Sequence, residues 1–296
     1  MTQTILRIGK PPDFDFKTTA MSHGWYNLPP FALDKENRIL QRVFALENRA
    51  PVFAEIADAN DSIEIIVEAA VDAASQAKII RDARHVLQLD ADFSAFYALV
   101  ANEPDFAWIA TRKAGRMLRS PTVFEDLVKS VCTTNCSWAL TKIMTANLVR
   151  KLGAPTGDDS HKDFPTARAM AAQSLEFYKT EIRAGYRAAY LKELAERVAS
   201  GALDVESWLD DDLPTAELKK QIKRVKGAGD YAAENLLKLL GRNDGLALDS
   251  WLRGFFADKY NNGVKCVDGE IYKFYERFGA WRGLVLFCDA TKNWHE

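Results

Sequence analysis

The sequence predicts an α+β fold in which a small antiparallel sheet, formed early in the chain, packs on a second and almost wholly helical part. Three observations lead there. Short β-branched or alternating runs crowd the first 70 residues, apolar residues recur at helical spacing after about residue 105, and the two parts carry opposite net charge. A chain of 296 residues is long enough for two such units, each with its own core, and we place the boundary between residues 1–105 and 106–296.

Taken in order, residues 4–8, 38–46, 52–57 and 62–67 read as strands, separated by turn-prone stretches such as Pro11-Pro12-Asp13 and Asn60-Asp61. Residues 72–87 and 93–101 read as helices covering that sheet. Beyond residue 105 the spacing of Phe124, Leu127, Val128 and Val131, and then of Trp138, Ile143, Met144 and Leu148, predicts successive amphipathic helices. Gly153 before Ala154-Pro155 and Gly241 read as helix stops, and Asp210-Asp211-Asp212-Leu213-Pro214 as a connection.

Composition excludes the unusual classes. Hydrophobic residues make up 48% and charged residues 27%, as in an ordinary folded protein. The start carries no basic flank followed by an apolar run, and no later window reaches membrane-spanning length, so a cytosolic, monomeric protein away from membranes is expected. Cys132, Cys136, Cys266 and Cys288 have the spacing of neither a disulfide framework, a zinc site nor an iron–sulfur cluster. His23, His85, His161 and His295 form no ligand-spaced pair, so metal-dependent hydrolysis lacks a ligand set and no side-chain metal site is expected. The net charge of −2 hides an asymmetry: residues 1–105 sum to −6 and residues 106–296 to +4. A polyanion should meet the second part.

Within that part, Lys226-Gly227-Ala228-Gly229-Asp230-Tyr231 separates two amphipathic helical patterns and reads as a tight hairpin. Two glycines one residue apart let the backbone turn sharply and approach another molecule, and Asp230 is placed to cap the next helix. Free amides at such a helix start can hold a phosphate. Lys219, Lys220, Lys223, Arg224 and Lys226 fall within eight residues with no acid among them, so the phosphate would also meet positive charge. The plainer alternative is a glycine-capped turn with a solvated basic face. Eighteen residues after Tyr231, Asp249 closes the apolar run Gly245-Leu246-Ala247-Leu248 and opens a further helix at Ser250-Trp251. By itself a helix-capping aspartate such as Asp249 is common and usually structural.

The hairpin followed by an apolar helix and an aspartate resembles the helix-hairpin-helix DNA glycosylase superfamily. Residues 21–31 (Met-Ser-His-Gly-Trp-Tyr-Asn-Leu-Pro-Pro-Phe) and 281–287 (Trp-Arg-Gly-Leu-Val-Leu-Phe) extend the resemblance along the chain, towards the branch holding AlkA-type alkylpurine glycosylases and 8-oxoguanine glycosylases. The resemblance implies base excision repair: binding of double-stranded DNA, extrusion of a damaged base and cleavage of its bond to the sugar. It makes Asp249 the catalytic carboxylate and Gly227 and Gly229, with Lys223 and Lys226, the phosphate grip, where relatives often hold a sodium or potassium ion on the backbone near Gly227. Cys132-Thr133-Thr134-Asn135 resembles the loop that enters the minor groove, with Asn135 filling the gap left by the flipped base. Tyr186 and Arg187 match positions that touch the unstacked partner base. Gly24, Trp25, Tyr231 and Phe287 would line the base pocket.

The sequence departs from the bifunctional branch at Tyr231, where those enzymes carry the lysine that attacks the sugar. Without that amine the resemblance implies a monofunctional enzyme that leaves an abasic site. The wedge residue, Gly24 and Phe287 lean towards 8-oxoguanine; the missing lysine and Trp25-Tyr26 lean towards alkylated purines such as 3-methyladenine, which is the substrate class expected. An 8-oxoguanine-type glycosylase and a lesion-binding protein without chemistry are the alternatives.

Overall fold

The computed structural model describes residues 3–210 and 212–294; Asp211 and His295, considered above, lie outside them. Strands β1 (Thr4–Gly9), β2 (Phe31–Asp34), β3 (Ile39–Leu46), β4 (Arg49–Ala59) and β5 (Ser62–Val67) form one antiparallel sheet in the order β1-β5-β4-β3-β2. The turns between β3, β4 and β5 follow from their sequences: Asn48 and Asn60 take the left-handed conformation, at φ 54° and 45°, that asparagine tolerates. Strand β2 has only four residues straight after Pro29-Pro30, too short to stand out in the sequence. Alternation along β5 sends Ile63, Ile65 and Val67 into the core.

Helix α1 (Phe16–Ala20) and helices α2 (Ala73–Val86), α3 (Ser94–Ala101) and α4 (Ala107–Thr111) complete the first layer. Asp15 and Asp72 cap α1 and α2 by accepting the amides of Thr18 and Ser75. The helical part runs through α5 (Val123–Thr133), α6 (Trp138–Leu152), α7 (Ala167–Ala171), α8 (Leu175–Thr180), α9 (Arg187–Ala199), α10 (Thr215–Ile222), α11 (Asp230–Leu239), α12 (Ser250–Tyr260), α13 (Asp268–Tyr275) and α14 (Arg282–Ala290).

Two hydrophobic clusters result. One gathers α5 to α11, including Val128, Leu148, Leu191, Ile222 and Leu236. The other joins the sheet to the C-terminal helices, so that Leu40 and Ile56 share a core with Phe256, Tyr275 and Leu284. The chain between α11 and α12 therefore crosses from one core to the other.

Helix α5 ties the layers together. Its residues 123–132 are all buried, among them Glu125, Asp126 and Lys129. Glu125 accepts both guanidinium nitrogens of Arg42 on β3, at 3.1 and 2.6 Å, and the Lys129 ammonium at 2.6 Å. Burial alone would raise the Glu125 pKa; Arg42 and Lys129 overcome it and hold it at about 2. Among the described residues no helix is long and apolar enough to cross a membrane.

Candidate nucleic-acid interface and active site

The hairpin is built as α10, a turn over residues 223–229, and α11. Gly227 has φ 90°, and a Cβ there would stand 2.9 Å from the Tyr190 ring of α9 and 3.2 Å from Val131 of α5. Its missing side chain serves internal packing as well as backbone conformation. Gly229 differs: nothing lies within 4 Å of its would-be Cβ, and it is exposed. The space a side chain would occupy there is open. Gly229, not Asp230, is the N-cap of α11. Asp230 is drawn away from that role by two ammonium groups, Lys219 at 3.0 Å and Lys223 at 2.9 Å, whose hydrogen bonds lower its pKa.

The hairpin lysines are less bare than their run suggests. Lys219 also meets Glu234 at 2.5 Å, Lys220 meets Glu217 at 2.7 Å, and Lys226 meets Glu193 of α9 at 2.6 Å. Acids from neighbouring turns and from another helix thus offset a cluster that contains none itself. The Lys223 and Lys226 pairs are solvent-exposed, and such pairs contribute no more than about 1 kcal/mol, so a phosphate can displace the carboxylates at little cost. The carbonyls of Ile222 and Val225 accept the amides of Val225 and Ala228, and each keeps a second lone pair that a backbone-held alkali cation could use.

Beside the hairpin, α5 ends in a loop over residues 134–137. Asn135 sits exposed at its tip with φ 46°. Arg187 fixes the loop from behind: its guanidinium donates to the Thr134 carbonyl and stacks 4.5 Å over the Tyr186 ring. Only 3% of Arg187 is exposed, so it props the loop from inside, whereas Tyr186 is 54% exposed. The reason is a contact across the fold: the Thr134 carbonyl at the end of α5 accepts from Arg187, 53 positions away. Tyr186 touches Tyr190 edge-on at 5.8 Å, and Tyr190 touches Gly227, so the loop and the hairpin form one continuous face.

Asp249 lies near Tyr231, the second residue of α11 after the hairpin. Asp249 is the N-cap of α12, with Oδ1 accepting the Leu252 amide at 2.8 Å, and its side chain is half-buried. Among the described residues no hydrogen bond reaches Oδ2. Tyr231, in the first turn of α11, stands close enough to feel it: burial, and then the Asp249 charge, push the Tyr231 phenol up to about 12. The loop from α11 back to Asp249 is clamped at three points. Buried Glu234 accepts the Ala247 amide, at a residue held at φ 52°, while the Gly283 amide donates to the Asn243 carbonyl at 2.8 Å and the Arg282 guanidinium to the Asp244 carbonyl at 2.6 Å.

The aromatic residues divide. Phe287 is half-buried on α14 and meets Trp294 edge-on at 6.3 Å; Trp294 in turn stacks on Trp251, the second residue of α12. These three rings flank the Asp249 helix start. Trp25 is elsewhere. It is 7% exposed, and its indole N–H donates to Asp126 at 2.7 Å inside the core, so its expected place in a pocket is corrected: the buried carboxyl of α5 claims it. The ring that does rest on Gly24 belongs to Trp138, at the start of α6. The sequence shows Trp138 only as one apolar residue in a helical repeat. Among the described residues no group of three or more His, Cys, Asp or Glu is placed to hold a metal ion.

Neither a family model nor a curated protein sequence matches the chain. Solved structures do. It aligns over 99% of its length, and 96% of the other, with MBOgg1 in complex with a low-affinity DNA ligand, at TM-score 0.76 and 20% identity. A 3-methyladenine DNA glycosylase from Archaeoglobus fulgidus aligns over 97% of this chain and 98% of its own, at TM-score 0.76 and 19% identity. The apo 8-oxoguanine glycosylase/lyase of Clostridium acetobutylicum aligns over 96% and 94%, at TM-score 0.75 and 17% identity. At these identities the likeness establishes a shared fold: this chain has the α+β fold of these solved structures along nearly its whole length.

Proposed function

We propose that the protein is a monofunctional DNA glycosylase that extrudes alkylated purines from duplex DNA and hydrolyses their N-glycosidic bond. One observation carries this reading. A half-buried carboxylate, Asp249, stands at a helix start beside Tyr231, the second residue of the helix that follows the glycine hairpin, and among the described residues no hydrogen bond reaches its second oxygen.

In this reading the amides near Gly229 take a DNA phosphate, and an alkali cation on the turn carbonyls would add positive charge there. Asn135 enters the duplex where the base has left, with Tyr186 against the partner strand. Leaving of the base builds positive charge on the sugar, and the ionised Asp249 stabilises that charge and orients the attacking water. Phe287, Trp251 and Trp294 supply stacking surface. A cationic alkylpurine is already an activated leaving group, so these rings suffice where no acid is placed to protonate it. Tyr231 offers no amine for a sugar adduct.

A panel of duplexes carrying one 3-methyladenine, 7-methylguanine, 8-oxoguanine, hypoxanthine or uracil tests the proposal. Release of methylated purines, with intact strands until alkali is added and no borohydride-trapped adduct, is the expected result. A trapped adduct, or preferred release of 8-oxoguanine, overturns the monofunctional or the alkylpurine assignment respectively. At the hairpin, Lys223→Ala and Lys226→Ala should each weaken binding uniformly across sequences and reduce the slope of log affinity against log salt by about 1. Fluorescence anisotropy across a salt series reads both.

A further inference from the structure

A cavity of about 340 Å³ is lined by Arg81, Arg84 and His85 of α2, by Gln88 and Asp90 just past its end, and by Arg119 of the segment that leads into α5. Long-range contacts set its shape. The Arg119 amide donates to the Val86 carbonyl at 3.0 Å, the Gln88 side-chain amide to the Met117 carbonyl at 2.6 Å, and buried Arg116 to the Gln88 and Ala91 carbonyls at 2.7 Å each. Residues 116–119 are thus laced to the end of α2.

The charges on this frame do not balance. Three guanidinium groups meet one carboxylate, and Arg84 takes that carboxylate, Asp90, with Nε at 3.0 Å and with Nη2. Among the described residues neither Arg81 nor Arg119 forms an ion pair. Asp82, next to Arg81 in the chain, is committed to Lys78 at 2.5 Å. Arg119 is the more exacting case. Its Nε is buried without a hydrogen-bond partner, and its Nη2 lies 3.6 Å from the place a Cβ would take on Gly241, just past α11. The carboxylate whose charge it feels, Asp126, already accepts the Trp25 indole at 2.7 Å and the Ser120 amide at 3.0 Å. Burial draws the Arg119 pKa down to about 10; burial, and then the Arg119 charge, bring His85 down to about 4, so His85 adds no charge at neutral pH. A desolvated cation with no bonded counter-ion is costly, and an anion in the cavity would relieve it.

We propose that this cavity binds a phosphate dianion, inorganic or carried as the terminal group of a nucleotide, with Arg81 and Arg119 supplying the two charges that Asp90 leaves unbalanced. Guanidinium forks match phosphate oxygens in geometry. A terminal phosphate carries close to two negative charges at neutral pH, whereas an internal DNA phosphate carries one. The cavity is also apart from the hairpin: Gly229 precedes α11 and Gly241 follows it, with ten helical residues, about 15 Å, between them. The proposal therefore does not depend on the glycosylase reading.

The test titrates the intact protein in phosphate-free, low-salt buffer with inorganic phosphate, deoxyadenosine 5′-monophosphate or dimethyl phosphate, following the His85 imidazole signals by NMR and the heat by calorimetry. Saturable binding of the first two is expected, with dimethyl phosphate, which has a single charge, at least about tenfold weaker. Nucleotide binding tighter than that of inorganic phosphate assigns the group to a nucleotide; equal affinity assigns it to free phosphate. Arg81→Gln and Arg119→Gln should each weaken phosphate binding about tenfold or more. Arg119→Gln should also abolish the phosphate-dependent rise in Tm without lowering Tm in phosphate-free buffer, where an arginine with a purely structural role would lower it. Arg81 is exposed, so Arg81→Gln reads the site even if Arg119→Gln fails to fold, and it should leave base release from duplex DNA unchanged. Absence of a saturable response, dimethyl phosphate binding as tightly as inorganic phosphate, or phosphate affinity unchanged in Arg81→Gln overturns the inference and leaves the glycosylase reading as it is.

Discussion

Asp249→Asn is expected to abolish base release, lowering the single-turnover rate on a methylated-purine duplex by on the order of 10³-fold, while leaving fold and DNA affinity in place. The substitution separates two roles that the wild-type side chain combines. As a cap, Asp249 needs one oxygen to accept the Leu252 amide at 2.8 Å, and an asparagine carbonyl serves that purpose about equally well. Thermal unfolding should therefore shift little. As a charge beside a developing oxocarbenium-like sugar, Asp249 has no substitute among its neighbours: Tyr231 stays a neutral phenol at working pH, since burial and Asp249 itself push it up to about 12. Binding to an abasic-site duplex should be retained or strengthened. An Asp249→Asn protein that still released bases within tenfold of the wild-type rate would show Asp249 to be a cap alone and remove the chemistry from the proposal.

What the sequence made legible follows the range of the interactions. The cap at Asp249 and the glycine turn before α11 are set by residues within a few positions of one another, and both can be read directly. The same holds for β1, β3, β4 and β5, whose alternation is strong, and not for β2, which has four residues and is held by pairing with β3. Contacts across the fold are a different matter. The acids that neutralise the hairpin lysines include Glu193, 33 positions from Lys226. The carboxyl that turns Trp25 inward, Asp126, is 101 positions away, and the ring that takes the place above Gly24 comes from position 138. Trp25 and Trp138 are both tryptophans in locally apolar stretches; only the packing of α5 and α6 against the first layer tells which is buried and which stays part-exposed. Arg187 likewise reads as an exposed cation until the Thr134 carbonyl is seen to need it.

Gly283→Ala should impair the enzyme as severely as many active-site changes, although Gly283 lies on a different helix from Asp249. A Cβ at position 283 would overlap the Gly245 carbonyl oxygen, stand 2.7 Å from the Gly245 carbonyl carbon and 2.8 Å from the Asn243 carbonyl oxygen. These are backbone atoms, so no rotamer change relieves the overlap, and either α14 or the 243–249 loop must move. The loop is the weaker partner. It is held at Gly283 through the amide donated to Asn243, at Arg282 through Asp244 and at Glu234 through Ala247, whose left-handed backbone is strained for a residue with a Cβ. Displacing the first anchor loads the third and shifts Asp249, two residues beyond Ala247. A displacement of about 1 Å at a reacting group costs on the order of 10²-fold in rate, and overpacking of this kind costs about 1–3 kcal/mol of stability. The expected pattern is a kcat reduced about a hundredfold at nearly unchanged affinity for an abasic-site duplex, with a lowered unfolding midpoint. Glu234→Gln, which keeps an acceptor for the Ala247 amide but loses the charge facing Lys219, should lie between Gly283→Ala and wild type in kcat. A Gly283→Ala protein that was destabilised yet fully active at low temperature would show that this clamp holds the fold without positioning the carboxylate.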